Sequence, residues 1–118
     1  MSAPGLADAA RAVRAAIDAT EEDWGELPFF VRPMVRRGFT QRTGRDVAGW
    51  RTLLDAAARG TVAPELVGAL DLLVDNWRTA PERAKKGMGG TAAQVAMIEA
   101  RMQPRIAAAV ALRALLSA

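Results

Sequence analysis

Arg32, Arg36, Arg37, Arg42, Arg45 and Arg51 crowd into one short segment of the chain. Arginine presents a planar fork of donors that matches carboxylates and phosphates, so the chemistry this cluster offers is anion recognition. All three phenylalanines lie in the same segment, in the run LPFFVRPMVRRGF from Leu27 to Phe39. On a helix starting at Pro33, Met34, Val35, Gly38 and Phe39 fall towards one side. Arg36 and Arg37 point elsewhere, with Arg32 one turn before Arg36. The pattern therefore predicts a corner anchored by an apolar plug of Phe29, Phe30 and Val31, with the arginines facing out. Two readings follow. One is a solvated basic face over a buried corner. The other is a partner-binding surface made of Phe29, Phe30, Arg32, Arg36, Arg37, Arg42 and Arg45, in which the phenylalanines add apolar contact if they are not buried.

A second set of candidates is the run KKGMGGT, holding Lys85, Lys86, Gly89, Gly90 and Thr91. Free amides at the start of the helix that follows, with two lysines beside them, could hold an anion. The residue order of a nucleotide-binding phosphate loop is absent, and a plain flexible linker is the competing reading. Asp71 and Asp75 stand four apart on one helix face, as paired carboxylates would. Nothing beside them supplies a nucleophile, so they read as solvated.

The residue inventory narrows the classes further. The chain of 118 residues has no cysteine, histidine or tyrosine. Thiol catalysis, zinc–thiolate sites and disulfides are excluded, and the commonest general base and transition-metal ligand are missing. The acidic residues are scattered rather than spaced as a calcium loop. No cofactor and no enzymatic activity are expected. The formal charge is +3, unevenly placed: residues 1–30 are net acidic by four charges and residues 31–60 net basic by five. No run has the length of a membrane span or the pattern of a secretion signal, so the expected location is the cytoplasm.

These side chains must be positioned by helices. Apolar residues recur near every 3.6 positions, and alanine is abundant while isoleucine is scarce. The expected class is all-α, a single-domain compact helical bundle of about five helices. The first helix is expected from Pro4 to about Ala19, capped at Ser2 or Ala3, burying Leu6, Ala9, Ala10, Val13, Ala16 and Ile17. Thr20 and Asp23 resemble a capping pair that starts a new short turn. One turn at residues 28–32 precedes a second helix from Pro33 to Thr43, stopped by Gly44. A third follows the N-cap Asp46 to Gly60, burying Val47, Trp50, Leu53, Leu54 and Ala57. The fourth, from Pro64 to about Thr79, buries Leu66, Leu70, Leu73, Val74 and Trp77. A mobile basic loop is expected over about 80–90. Thr91 then caps a last helix, kinked or restarted at Pro104. Trp24, Trp50 and Trp77 read as core posts.

Trp24, PFFVR at residues 28–32, the pair Arg36–Arg37, Gly44 and the following LLDAAARG carry a resemblance. Over about residues 24–60 the chain resembles the small helical C-terminal domain of the B-type subunit of the light-independent protochlorophyllide reductase family. The family's polar stretch between the two helices is shortened here to GRD. The resemblance implies a compact helical module that is attached to, or docks on, a larger assembly. It implies no reduction chemistry, because the family's cluster cysteines lie outside this module.

The expected function is a non-enzymatic protein-interaction module. Its arginine-rich face would meet an acidic surface on a partner protein or on a second copy of the chain. The alternative is a small nucleic-acid binder using mainly phosphate contacts, because the helix after RTGRD offers few polar side chains to read bases. A third reading is a small-molecule or anion binder between helices, with the glycine loop as its lid.

Overall fold

The computed structural model describes residues 5–87 and 90–118, whose regular secondary structure is all helix, with no strand among them. Six helices form among the described residues: α1 (Leu6–Gly25), α2 (Arg32–Thr43), α3 (Val47–Ala58), α4 (Leu66–Arg78), α5 (Ala80–Gly87) and α6 (Ala92–Leu116). The expected cap and first turn at Ser2, Ala3 and Pro4 lie outside the described residues. Helix α1 packs on α2, α3 and α6, while α4 packs on α2, α5 and α6. The core is one apolar cluster fed by α1, α2, α3, α4 and α6.

Helix α1 runs past the expected stop. Thr20 does not cap a new turn: it is buried, and its hydroxyl donates to the Ala16 carbonyl at 2.8 Å. Neither glycine nor proline interrupts the chain before Gly25. Ile17, Thr20 and Trp24 continue the buried stripe at spacings of three and four, so core packing carries the helix through the would-be cap. Asp23 is drawn instead to Arg101 and Arg105 of α6.

Helices α2 and α3 follow the expected punctuation. Pro33 sits in the first turn of α2, where its missing N–H costs nothing. Gly44 ends that helix at φ 85°, a left-handed conformation that favours glycine, and its N–H donates to the Thr40 carbonyl. The Asp46 carboxylate caps α3 by accepting from the Gly49 N–H at 2.7 Å. The expected buried faces of α3 and α4 are all buried, with Ala69 and Asn76 added to α4.

The segment expected as a loop over about 80–90 is helical from Ala80 to Gly87, which makes six helices rather than five. Pro81 stands in the first turn, where it is tolerated, and no glycine interrupts before Gly87. The Arg83 guanidinium ties this helix back to α4 through Asn76 and Thr79. Helix α6 passes through Pro104 as one element, with Met102, Arg105, Ala109 and Leu112 buried.

The three tryptophans are core posts, all buried. Two of them share a device. The Trp50 indole N–H donates to the Thr43 hydroxyl at 3.0 Å, and the Trp77 indole N–H to the Thr20 hydroxyl at 3.2 Å. Each threonine is itself back-bonded to the carbonyl four residues earlier.

Candidate functional site

The corner between α1 and α2 reverses the expected division of labour. Phe29 is 79 % exposed and Phe30 73 % exposed, so they are not a buried plug. Their rings meet edge to face, 5.9 Å between centroids. Met34, expected on the inner side of α2, is 65 % exposed. Phe39 alone of the phenylalanines reaches the core, where it packs edge-on against Trp24 at 5.2 Å. Val31 is half-buried.

The arginines, expected to face a partner, are largely spent inside the molecule. Arg32 turns back and donates to the carbonyls of Leu27 and Gly25 at 2.9 and 2.7 Å, covering the open carbonyl end of α1. Arg36 pairs with Glu21 at 3.0 Å and lies over the Trp24 ring. Arg51 reaches both Asp18 and Glu21, and Arg14 continues the chain of charges to Asp18 and Asp55. Arg42 donates to the Asn76 side chain. Arg45 lies over the Trp50 ring at 5.4 Å. The physical cause is the charge asymmetry of the sequence: the acidic face of α1 packs where the arginines of α2 and α3 arrive. Arg37 remains exposed, and no ion pair engages it among the described residues.

The network has an electrostatic signature. Hydrogen bonds from Arg51 and then Arg36 hold the Glu21 carboxyl below its ordinary value, and hydrogen bonds to Glu21 and then Asp18 raise Arg51. A carboxyl lowered in the folded state stabilises the fold above its unfolded value, near 4.5, and that stabilisation is lost as the pH falls through the folded value. Glu21→Gln is therefore expected to flatten the acid limb of a stability–pH curve. The effect should stay below about 1 kcal/mol, because the pairs are partly solvated and screened. A variant curve whose acid limb falls as steeply as the original's would remove Glu21 from this role.

Beside the corner, a shallow cleft of about 350 Å³ is lined by Trp24, Arg36, Arg37, Thr40, Val47 and Arg51, among others. Its charges are mostly matched internally. Among the described residues, no group of three or more acidic side chains stands where it would hold a metal ion.

The second candidate set is arranged differently from the expected anion cradle. Lys85 and Lys86 are exposed on α5. The Gly90 N–H donates to the Ala84 carbonyl at 3.3 Å. Thr91 forms a full capping box: its hydroxyl accepts from the Gln94 N–H, and its own N–H donates to the Gln94 side chain. The first turn of α6 thus supplies its own acceptors. Gly89 lies outside the described residues. Asp71, expected to be solvated, forms a surface ion pair with Arg113 at 2.6 Å, which lowers its carboxyl. Asp75 is exposed.

Sequence reasoning missed the cluster of Asn76, Arg42 and Arg83, and the buried Arg105 with Asp23. The usable signal for Asn76 was its place on the apolar stripe of α4, next to Trp77 and three residues after Leu73.

No protein-family model, curated protein or solved structure matches this chain.

Proposed function

We propose that the chain is a non-enzymatic protein-interaction module that docks through the Phe29–Phe30 corner onto a larger protein assembly, the kind of partner its resemblance implies. The observation carrying this is the exposure of two adjacent aromatic rings, 79 % and 73 %, on a chain whose other four aromatic side chains are all buried. Exposed aromatic pairs are what interfaces bury at their centres. Burying a phenylalanine side chain stabilises association by roughly 1.5–3 kcal/mol. Met34 is a further exposed apolar side chain on α2, and Arg37 stands on the same helix with no ion-pair partner among the described residues. The partner is therefore an apolar cleft rimmed by carboxylates. Of the other candidate arginines, Arg36 and Arg51 form ion pairs within the fold, and Arg32, Arg42 and Arg45 lie against main-chain carbonyls, Asn76 and the Trp50 ring.

The test compares the wild-type chain with a Phe29→Ala/Phe30→Ala variant in capture experiments washed at low and high salt. A protein retained by the wild type through high salt, and lost by the variant, is the expected result. The loss should be at least tenfold in affinity. The thermal midpoint should not move, because neither ring contributes to the core. Equal retention by both chains would refute the corner as the docking face. Nucleic acid captured at low salt and released at high salt, with no protein, would favour phosphate binding. Concentration-dependent sedimentation abolished by the double variant would identify the partner as a second copy.

A further inference from the structure

Helices α2, α4 and α5 converge on Asn76, which is 4 % exposed. Arg42 Nε donates to the Asn76 Oδ1 at 2.7 Å. Arg83 Nη2 donates to the Asn76 main-chain carbonyl at 2.9 Å and to the same Oδ1 at 3.3 Å. Arg83 Nη1 donates to the Thr79 hydroxyl. Two guanidinium groups thus share one neutral amide oxygen. This arrangement is unlike that of the other guanidinium clusters. Arg14, Arg36, Arg51, Arg101, Arg105 and Arg113 each have a carboxylate within ion-pair distance. Neither Arg42 nor Arg83 has an ion-pair partner among the described residues. Asp75 attracts Arg83 only through space.

The convergence is electrostatically unfavourable as it stands. Burial, and then the neighbouring Arg42 charge, push the Arg83 guanidinium down to about 10. Burial lowers Arg42 as well. Asn76 orients the two forks but neutralises neither. Several donors, both Nη groups of Arg42 and the Nε of Arg83, have no hydrogen-bond acceptor among the described residues. Arg42 is exposed and Arg83 half-buried, so the pair is reachable from solvent.

The geometry points to an oxyanion site in which Arg42 and Arg83, held by Asn76 and Thr79, clamp a phosphate group. A carboxylate matches one guanidinium fork and one charge. A tetrahedral dianion matches two forks and both charges, which makes phosphate the better fit. The site lies at the α2–α4–α5 junction and is independent of the Phe29–Phe30 corner.

The test is an NMR titration of the whole chain with inorganic phosphate, against chloride at matched ionic strength, following the Arg Nε–H signals. Saturable shifts of Arg42 and Arg83 are expected. Arg42→Lys and Arg83→Lys keep the charge and the aliphatic stem but lose the fork. Each should weaken binding about tenfold, as the loss of a charge-assisted hydrogen bond does. Arg59→Gln, at an exposed arginine outside both sites, should leave binding unchanged. A parallel titration with phenyl phosphate separates the sources: tighter binding than inorganic phosphate places the group on a larger molecule, and equal binding identifies the free ion. Non-saturating shifts equal to those in chloride would overturn the site. So would saturable binding undiminished in both lysine variants.

Discussion

Replacing Asp23 with alanine is expected to destabilise the fold by about 3–5 kcal/mol, the cost of leaving a buried charge without its partner. The charge is Arg105, whose side chain is 8 % exposed and 2.8 Å from the Asp23 carboxylate. Its other hydrogen-bond partner is the Thr20 hydroxyl at 3.3 Å, which is neutral and already accepts from Trp77. Among the described residues no other side chain accepts from Arg105. Arg101 contacts the same carboxylate at 3.2 Å but from a side chain 37 % exposed. Arg101→Ala should therefore cost less than about 1 kcal/mol. The decisive comparison is Asp23→Ala/Arg105→Met, in which neither charge remains. It should recover much of the loss, because an apolar pair fills the site without a desolvated ion. Urea denaturation read as midpoint shifts at constant slope measures all of these. Asp23→Ala within 1 kcal/mol of the parent chain would mean that Arg105 finds water or another acceptor.

Trp50→Ala is expected to cost about 3–5 kcal/mol, the range for truncating a buried large aromatic. Trp50 is fully buried in the core face of α3, which packs on α1. Truncation removes the ring contacts, leaves a cavity and takes away the N–H that the Thr43 hydroxyl accepts. It also strips the ring beneath the Arg45 guanidinium. Trp50→Phe keeps most of the packing and should cost clearly less. A domain of this size has about 5–15 kcal/mol of total stability, so the alanine variant should melt well below the parent. Equal melting of the alanine and parent chains would show that the α1–α3 interface closes around the gap.

The helical class, the caps at Asp46, Gly44 and Thr91, and the buried stripes of α3 and α4 were legible because each rests on local spacing or on a residue with one strong backbone preference. Thr20 misled because a threonine followed three residues later by a carboxylate reads as a cap, whereas long-range packing against Trp77 and Arg105 decides its role. The α5 segment misled for a related reason. Its lysines and nearby glycines look mobile, but Arg83 is anchored to a buried asparagine on the preceding helix. The corner is the sharpest contrast. Composition placed phenylalanine and arginine side by side, but which of them turned inward depended on the acidic face of α1. That face is adjacent only in the folded chain. Arg42 and Arg83 are far apart in sequence, and no linear pattern joins them.

The placement of the tryptophans settles how this molecule can be watched in solution. With all three indoles buried and no tyrosine present, ultraviolet emission comes from the interior alone. Unfolding should shift that emission to the red in a single step that follows the loss of helix. A ligand settling on Phe29 and Phe30 meets a surface that is nearly dark at those wavelengths. The protein thus carries a built-in reporter of its integrity that is largely blind to its proposed docking corner. Folding and docking can then be read in separate channels of one experiment, with the label for docking placed on the partner.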